Sequence, residues 1–424
     1  MFNQNGLSLD QAPPISVVFR FFFSGALFGI LAAILILCFG STIFDASTTQ
    51  ALILTHTLTL GVMLSFMFAA LFQMLPVIAG VTLKAPIQKA NRLQYPFVFG
   101  VVTLLFAFYT SLPWLFMVAS ILLGGSILYI VILMLTQLFK ITHHSSSSKG
   151  MMLSLLSLGT LLLLALYLTA SLSGLSEGSY YTSIKTAHFS LGLFGWISLL
   201  ILSISFQVIE MFYVTPAYPK AISHYLPLGL FSILLSSTIV GVWIPSIWSI
   251  TTPLLFLLLA IYALTTLKRL TQRKRPLTDA TVWFWRLGMG LLLASLTLQI
   301  GDNSPLLSSL SYLCFAGFAL SIVFAMFYKI VPFLTWFHLN SQGYFTAPMM
   351  HEVIHPKTAM KHLYIHLATL VTFGLSLIMA PLIYVASLLT LLSFGWMLFQ
   401  IIHAWKLYVH TQTTGEKFNM GDLG

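Results

Sequence analysis

Two histidines stand apart from the other ten of the chain's 12. His56 opens the run His56-Thr57-Leu58-Thr59-Leu60-Gly61, and His188 opens His188-Phe189-Ser190-Leu191-Gly192. Both lie near the start of a long apolar segment. A neutral imidazole is a ligand for haem iron or copper. One histidine near a helix end is more often a hydrogen-bonded interface residue. Two at comparable points of a repeat keep ligation open beside that reading. Further along, His362 and His366 are one helical turn apart and share a face, and His403 lies on the segment that returns past them. His366 and His403 are therefore candidate metal ligands. The alternative is a cluster of interface histidines beside Lys361 and Lys406. His351-Glu352 followed by His355 has the letters of a zinc-protease motif, but that motif needs a continuous helix and Pro356 follows at once.

A second group of polar residues recurs. Gln73, Gln207 and Lys329 each follow a glycine, Gly61, Gly195 or Gly317, by 12 residues. The surrounding runs are Phe72-Gln73-Met74-Leu75-Pro76, Phe206-Gln207-Val208-Ile209-Glu210 and Tyr328-Lys329-Ile330-Val331-Pro332. A small residue lets two helices approach closely in lipid, and a polar residue deep in a span must face protein or a cavity. Packing and kinking alone would also explain the pattern. The matched depths predict that Gln73, Gln207, Glu210 and Lys329 face a common centre, with a Glu210–Lys329 ion pair as the simplest way to satisfy both charges.

These residues need a scaffold, and composition names it. Of 424 residues, 58% are hydrophobic and only 7% charged, with a mean hydropathy of +0.96. A soluble domain carries about 25% charged residues. The apolar stretches are continuous rather than alternating, so helices are expected and not barrel strands. Twelve runs have helix-spanning length: 16–43, 51–81, 95–111, 113–138, 151–173, 186–213, 225–246, 249–267, 281–300, 305–337, 360–381 and 383–409. The fold class is thus all-α, a polytopic membrane bundle within a single integral membrane domain. The glycine register divides it into three four-helix repeats, approximately 16–138, 151–267 and 281–409, in a pseudo-threefold arrangement.

The net charge of +10 does not indicate nucleic-acid binding. Fifteen of the 19 Lys and Arg residues follow even-numbered segments, which places both termini in the cytoplasm of a bacterial inner membrane. The first fifteen residues hold no Lys or Arg, so targeting is expected from the first span and not from a cleaved signal. Cys38 and Cys314 both lie in apolar runs, which gives no disulfide framework.

With twelve spans, a threefold repeat and the segments His56–Val77, His188–Pro219 and Phe327–Leu339, the chain resembles the haem–copper oxidase subunit I superfamily, and within it the NnrS-type membrane proteins. The resemblance implies haem of the b type, copper or both. It implies His56 as a haem ligand near the outer end of the second helix, and His188, more loosely, as a ligand on the sixth. It also implies a role in nitric-oxide or redox stress. The chain departs from the oxidases in two places. Segment 225–246 has no histidine, and Ser311-Tyr312-Leu313-Cys314 stands where two haem-ligating histidines are expected. A complete terminal oxidase is therefore not expected. Two other functions fit the residues: a transporter or channel using the intramembrane Glu, Lys and Gln, and an assembly subunit of a membrane complex. The expected partners are the lipid bilayer and membrane-complex subunits, with no nucleic acid.

Overall fold

The computed structural model describes residues 12–275, 279–300 and 304–417; the start of the chain, on which the signal argument partly rested, lies outside them. All twelve expected segments are helices: α1 (Ile15–Phe44, ending in a 3₁₀ turn), α2 (Thr49–Ala79), α3 (Pro86–Thr110), α4 (Pro113–Leu138), α5 (Ser146–Leu172), α6 (Tyr181–Tyr213), α7 (Lys220–Gly241), α8 (Ile247–Thr271), α9 (Ala280–Ile300), α10 (Pro305–Ser341), α11 (Pro356–Ser376) and α12 (Leu382–Thr414). Among the described residues there is no strand beyond a single bridge between Tyr344 and Lys417. Eleven of the twelve helices are long and apolar enough to cross a membrane. The exception is α11, whose composition is diluted by Lys357, Lys361, His362 and His366.

Helix ends follow local chemistry. Pro86, Pro113, Pro305 and Pro356 occupy first turns, where the missing N–H costs nothing. The Thr48, Ser145 and Ser304 hydroxyls accept backbone N–H bonds from Ala51, Ser148 and Leu307. Helix α3 begins nine residues before the expected 95, because polar residues in its first turns find partners on α1. Arg20 donates to Asn91, and Gln94 donates to the Ser24 hydroxyl (2.8 Å) and the Arg20 carbonyl (3.0 Å). An apolar run cannot reveal a helix end that is satisfied in this way.

The helices pack in chain order around a ring. Helix α4 meets α5, α8 meets α9, and α12 closes the ring on α1. Inside it, 89% of the most apolar stretch of α2 and 83% of that of α6 is buried, against 39–56% for the other spans. Helix α10 reaches inward as well, touching α1 and α2 in addition to its own neighbours α9, α11 and α12. Outward faces carry large apolar side chains such as Phe99, Ile121, Leu163 and Val371. In water such a surface would aggregate; in a bilayer it is the lipid contact.

The three glycines explain how the inner helices come so close. A Cβ on Gly61 would lie 2.6 Å from the Phe28 ring of α1. One on Gly195 would meet Ser157 of α5 at 3.0 Å, and one on Gly317 would meet Leu291 of α9 at 2.9 Å and Leu370 of α11 at 2.8 Å. Each contact reaches the first helix of the same quartet. Two of the glycines sit inside π-helical turns, Thr57–Leu64 in α2 and Leu191–Ser198 in α6. These turns fall in the same register relative to Gly61 and Gly195, whereas α10 is α-helical throughout.

Filling the first of these contacts should be costly. Gly61→Leu is expected to lower stability by about 1–3 kcal/mol through overpacking against Phe28. Gly290→Ala, where a Cβ meets nothing within 4 Å, should be neutral or stabilising by up to about 1 kcal/mol. Thermal unfolding of the two purified variants separates the outcomes, and equal losses would remove the close-approach argument.

Candidate functional site

Two places gather the chemistry, one at each end of the inner helices. The first holds His56 and His188. His56 is the last residue before the π turn of α2, and His188 sits three residues before that of α6. Both are half-buried. They are close enough to interact electrostatically. The His56 Nδ1 lies 2.8 Å from the Leu52 carbonyl. A carbonyl only accepts, so Nδ1 carries the proton and Nε2 keeps its lone pair. Phe108 packs on the ring at 5.0 Å. His188 leans toward the Leu161 carbonyl, yet its buried Nδ1 makes no well-formed hydrogen bond. Each imidazole thus has a nitrogen free to bind a ligand.

The π turns matter here. One extra residue per turn breaks the α pattern, and such turns are frequent at functional sites. Nothing in the residue types predicted them beyond Gly61 and Gly195.

The second place is a vestibule of about 420 Å³ at the opposite end, where most lysines and arginines lie. Gln73, Gln207, Asp279 and Lys329 line it, with apolar walls that include Met74, Ile330 and Phe333. The mouth carries exposed Arg275, Met350 and His351. Beyond Met74 and Ile330, toward the histidines, lies an apolar gap of about 70 Å³ among Met63, Phe66, Met67, Met326 and Trp285. Gln73, Gln207 and Lys329 therefore do meet at one cavity.

The expected Glu210–Lys329 pair does not form. Lys329 Nζ binds Asp279 Oδ2 at 2.5 Å, the one ion pair among the described residues, and Glu210 is half-buried at the end of α6 with no ionic partner there. Asp279 wins because it is already held in place. Its Oδ1 accepts from the backbone N–H groups of Thr281 (3.0 Å) and Val282 (3.2 Å) and from the Thr281 hydroxyl (2.6 Å), capping α9. Tyr213 donates to Thr281 at 3.0 Å, and its ring lies 5.4 Å from Lys329 Nζ. The run Asp279-Ala280-Thr281 before an apolar segment is a helix-start signal, and it was the available clue.

The His366–His403 metal site is likewise not assembled. His366 is buried, and its Nε2 lies 2.9 Å from the Ser321 hydroxyl. That hydroxyl gives its proton to the Gly317 carbonyl (2.6 Å), so His366 donates to it. His403 is exposed and stacks on Phe399. It lies off the buried stripe of α12, Met397, Gln400, Ile401 and Ala404. His362 is fully occupied, with Nδ1 2.9 Å from the Tyr328 hydroxyl and Nε2 2.7 Å from that of Ser393. The one-turn helix Met350–Val353 ends before His355, whose Nδ1 caps α11 through the Lys357 N–H at 3.1 Å. The zinc-protease letters therefore have no helix to act on. Among the described residues no three His, Cys, Asp or Glu side chains gather to hold a metal ion.

No protein-family model matches the chain, and no curated protein matches it. The chain is a polytopic membrane protein on the strength of its helices alone.

The capping carboxylate gives a pH prediction. Burial raises the Asp279 pKa, but the Lys329 charge and hydrogen bond, together with Thr281 and Val282, outweigh it and hold the carboxyl below its ordinary 3.8. A depressed carboxylate contributes stability that is full above 3.8 and is lost as pH falls through the lower folded-state value. The melting temperature of the purified protein should drop on acidification through that range. Asp279→Asn should lower the melting temperature at neutral pH and flatten this acid limb; an unchanged limb would assign it to other groups.

Proposed function

We propose that the chain is an oxidase-like membrane protein that binds haem or copper between α2 and α6 through His56 and His188, and that it serves redox or nitric-oxide stress without reducing oxygen. The observation that carries this reading is the pair itself. Two imidazoles, one on each of the two most buried helices, stand just before π turns, and each has a ring nitrogen free for coordination. The donor set suits the group, because neutral imidazole is a ligand for haem iron and for copper. The Leu52 carbonyl fixes the tautomer and turn of the His56 ring, as outer hydrogen bonds do for metal-binding histidines. Phe108 packs against the same ring. A bound haem or copper would supply one-electron chemistry. His56 and His188 would hold the haem iron or copper, whereas an oxygen-reducing centre needs further ligands. The basic end, by the charge bias of the loops, faces the cytoplasm.

Absorbance of the purified chain tests the reading. A Soret band, or copper by elemental analysis, is expected in the wild type. His56→Ala and His188→Ala, each eluting as a monodisperse species, should each lose or shift it. Absence of both Soret band and metal from wild-type protein produced with ample haem and copper would overturn the proposal.

A further inference from the structure

The vestibule has no part in the histidine site, and its lining specifies a ligand of its own. Its 420 Å³ falls within the range of small-molecule pockets, and its make-up is typical of them: apolar walls with a few converging polar groups. Gln73 is 3% exposed, and its Oε1 has no hydrogen-bond partner. No protein group holds this amide in one orientation, so it can turn its N–H2 group, the half from which a carboxylate accepts, into the cavity. Gln207, half-buried, lines the same space from α6.

Charge decides the class. Lys329 and Arg275 face one carboxylate, Asp279, leaving a single positive charge in excess. Asp279 keeps three other hydrogen bonds if Lys329 turns away. An ammonium has three donors, so Lys329 can hold Asp279 and an incoming anion together. One net charge and walls of Met74, Ile330 and Phe333 suit a monoanion with an apolar body better than a heavily hydrated polyanion. We propose that the vestibule binds a small organic monocarboxylate from the basic end, its carboxylate on Lys329 and the Gln73 amide and its apolar body against Met74, Ile330 and Phe333.

Three probes with one body and different heads test this: benzoate, benzylammonium and benzyl alcohol, titrated calorimetrically into the full chain in nanodiscs of zwitterionic lipid. Saturable binding of benzoate alone is expected. It should weaken about ten-fold or more in Lys329→Met and about three-fold or more in Gln73→Leu, the scale of a lost charged and a lost neutral hydrogen bond. Asp279→Asn, which frees the lysine, should bind benzoate at least as tightly as the wild type. Equal affinity in wild type and Lys329→Met, tighter binding of benzylammonium than of benzoate, or saturation by none of the three would each overturn the proposal. A Soret band is not needed for any of these readings, so failure here leaves the histidine site untouched.

Discussion

How closely α2, α6 and α10 can be pressed against α1, α5 and α9 sets everything near the axis. Lipid tails are as apolar as the helices, so burial gives no drive to associate, and contact quality must. Gly61, Gly195 and Gly317 provide it by removing the one atom that would hold the backbones apart. The inner helices can then meet one another, and their polar residues fall at common depths. Without that approach Gln73, Gln207 and Lys329 would lie on separate helices with lipid or bulky side chains between them.

The two ends of the inner helices solve different electrostatic problems. At the histidine end the polar groups are two half-buried imidazoles, with Phe108 packed on the ring of His56. At the basic end a charge is kept inside the bundle, and it is tolerable because its partner is anchored. Asp279 is fixed by α9 before Lys329 arrives, so the lysine alone loses freedom in making the pair. Tyr213 underlies the ammonium and ties α6 into the same network.

Much of the fold was legible because membrane helices announce themselves by continuous apolarity, and α4 ran to the residue from 113 to 138. The start of α3 was not, since Asn91 and Gln94 are satisfied by α1 across a long stretch of sequence. The glycine interval located the residues of the vestibule, because a period in sequence becomes a common depth in parallel helices. Depth alone misassigned the partner of Lys329, since it treats Glu210 and Asp279 as equals and ignores which carboxylate is already held by backbone N–H groups. The i, i+4 spacing of His362 and His366 gave a shared face but not what that face meets. Hydroxyls of Ser321, Tyr328 and Ser393 meet it, and they leave no room for coordination by His362.

The gap between the two ends is lined by thioethers and phenyl rings, with Met63, Met67, Met74 and Met326 among its walls. Methionine is unbranched and changes rotamer readily. The same sulfur atoms make the gap's lining chemically alterable. Conversion to sulfoxide would place polar oxygens among the apolar walls of this gap, between the histidine end and the vestibule.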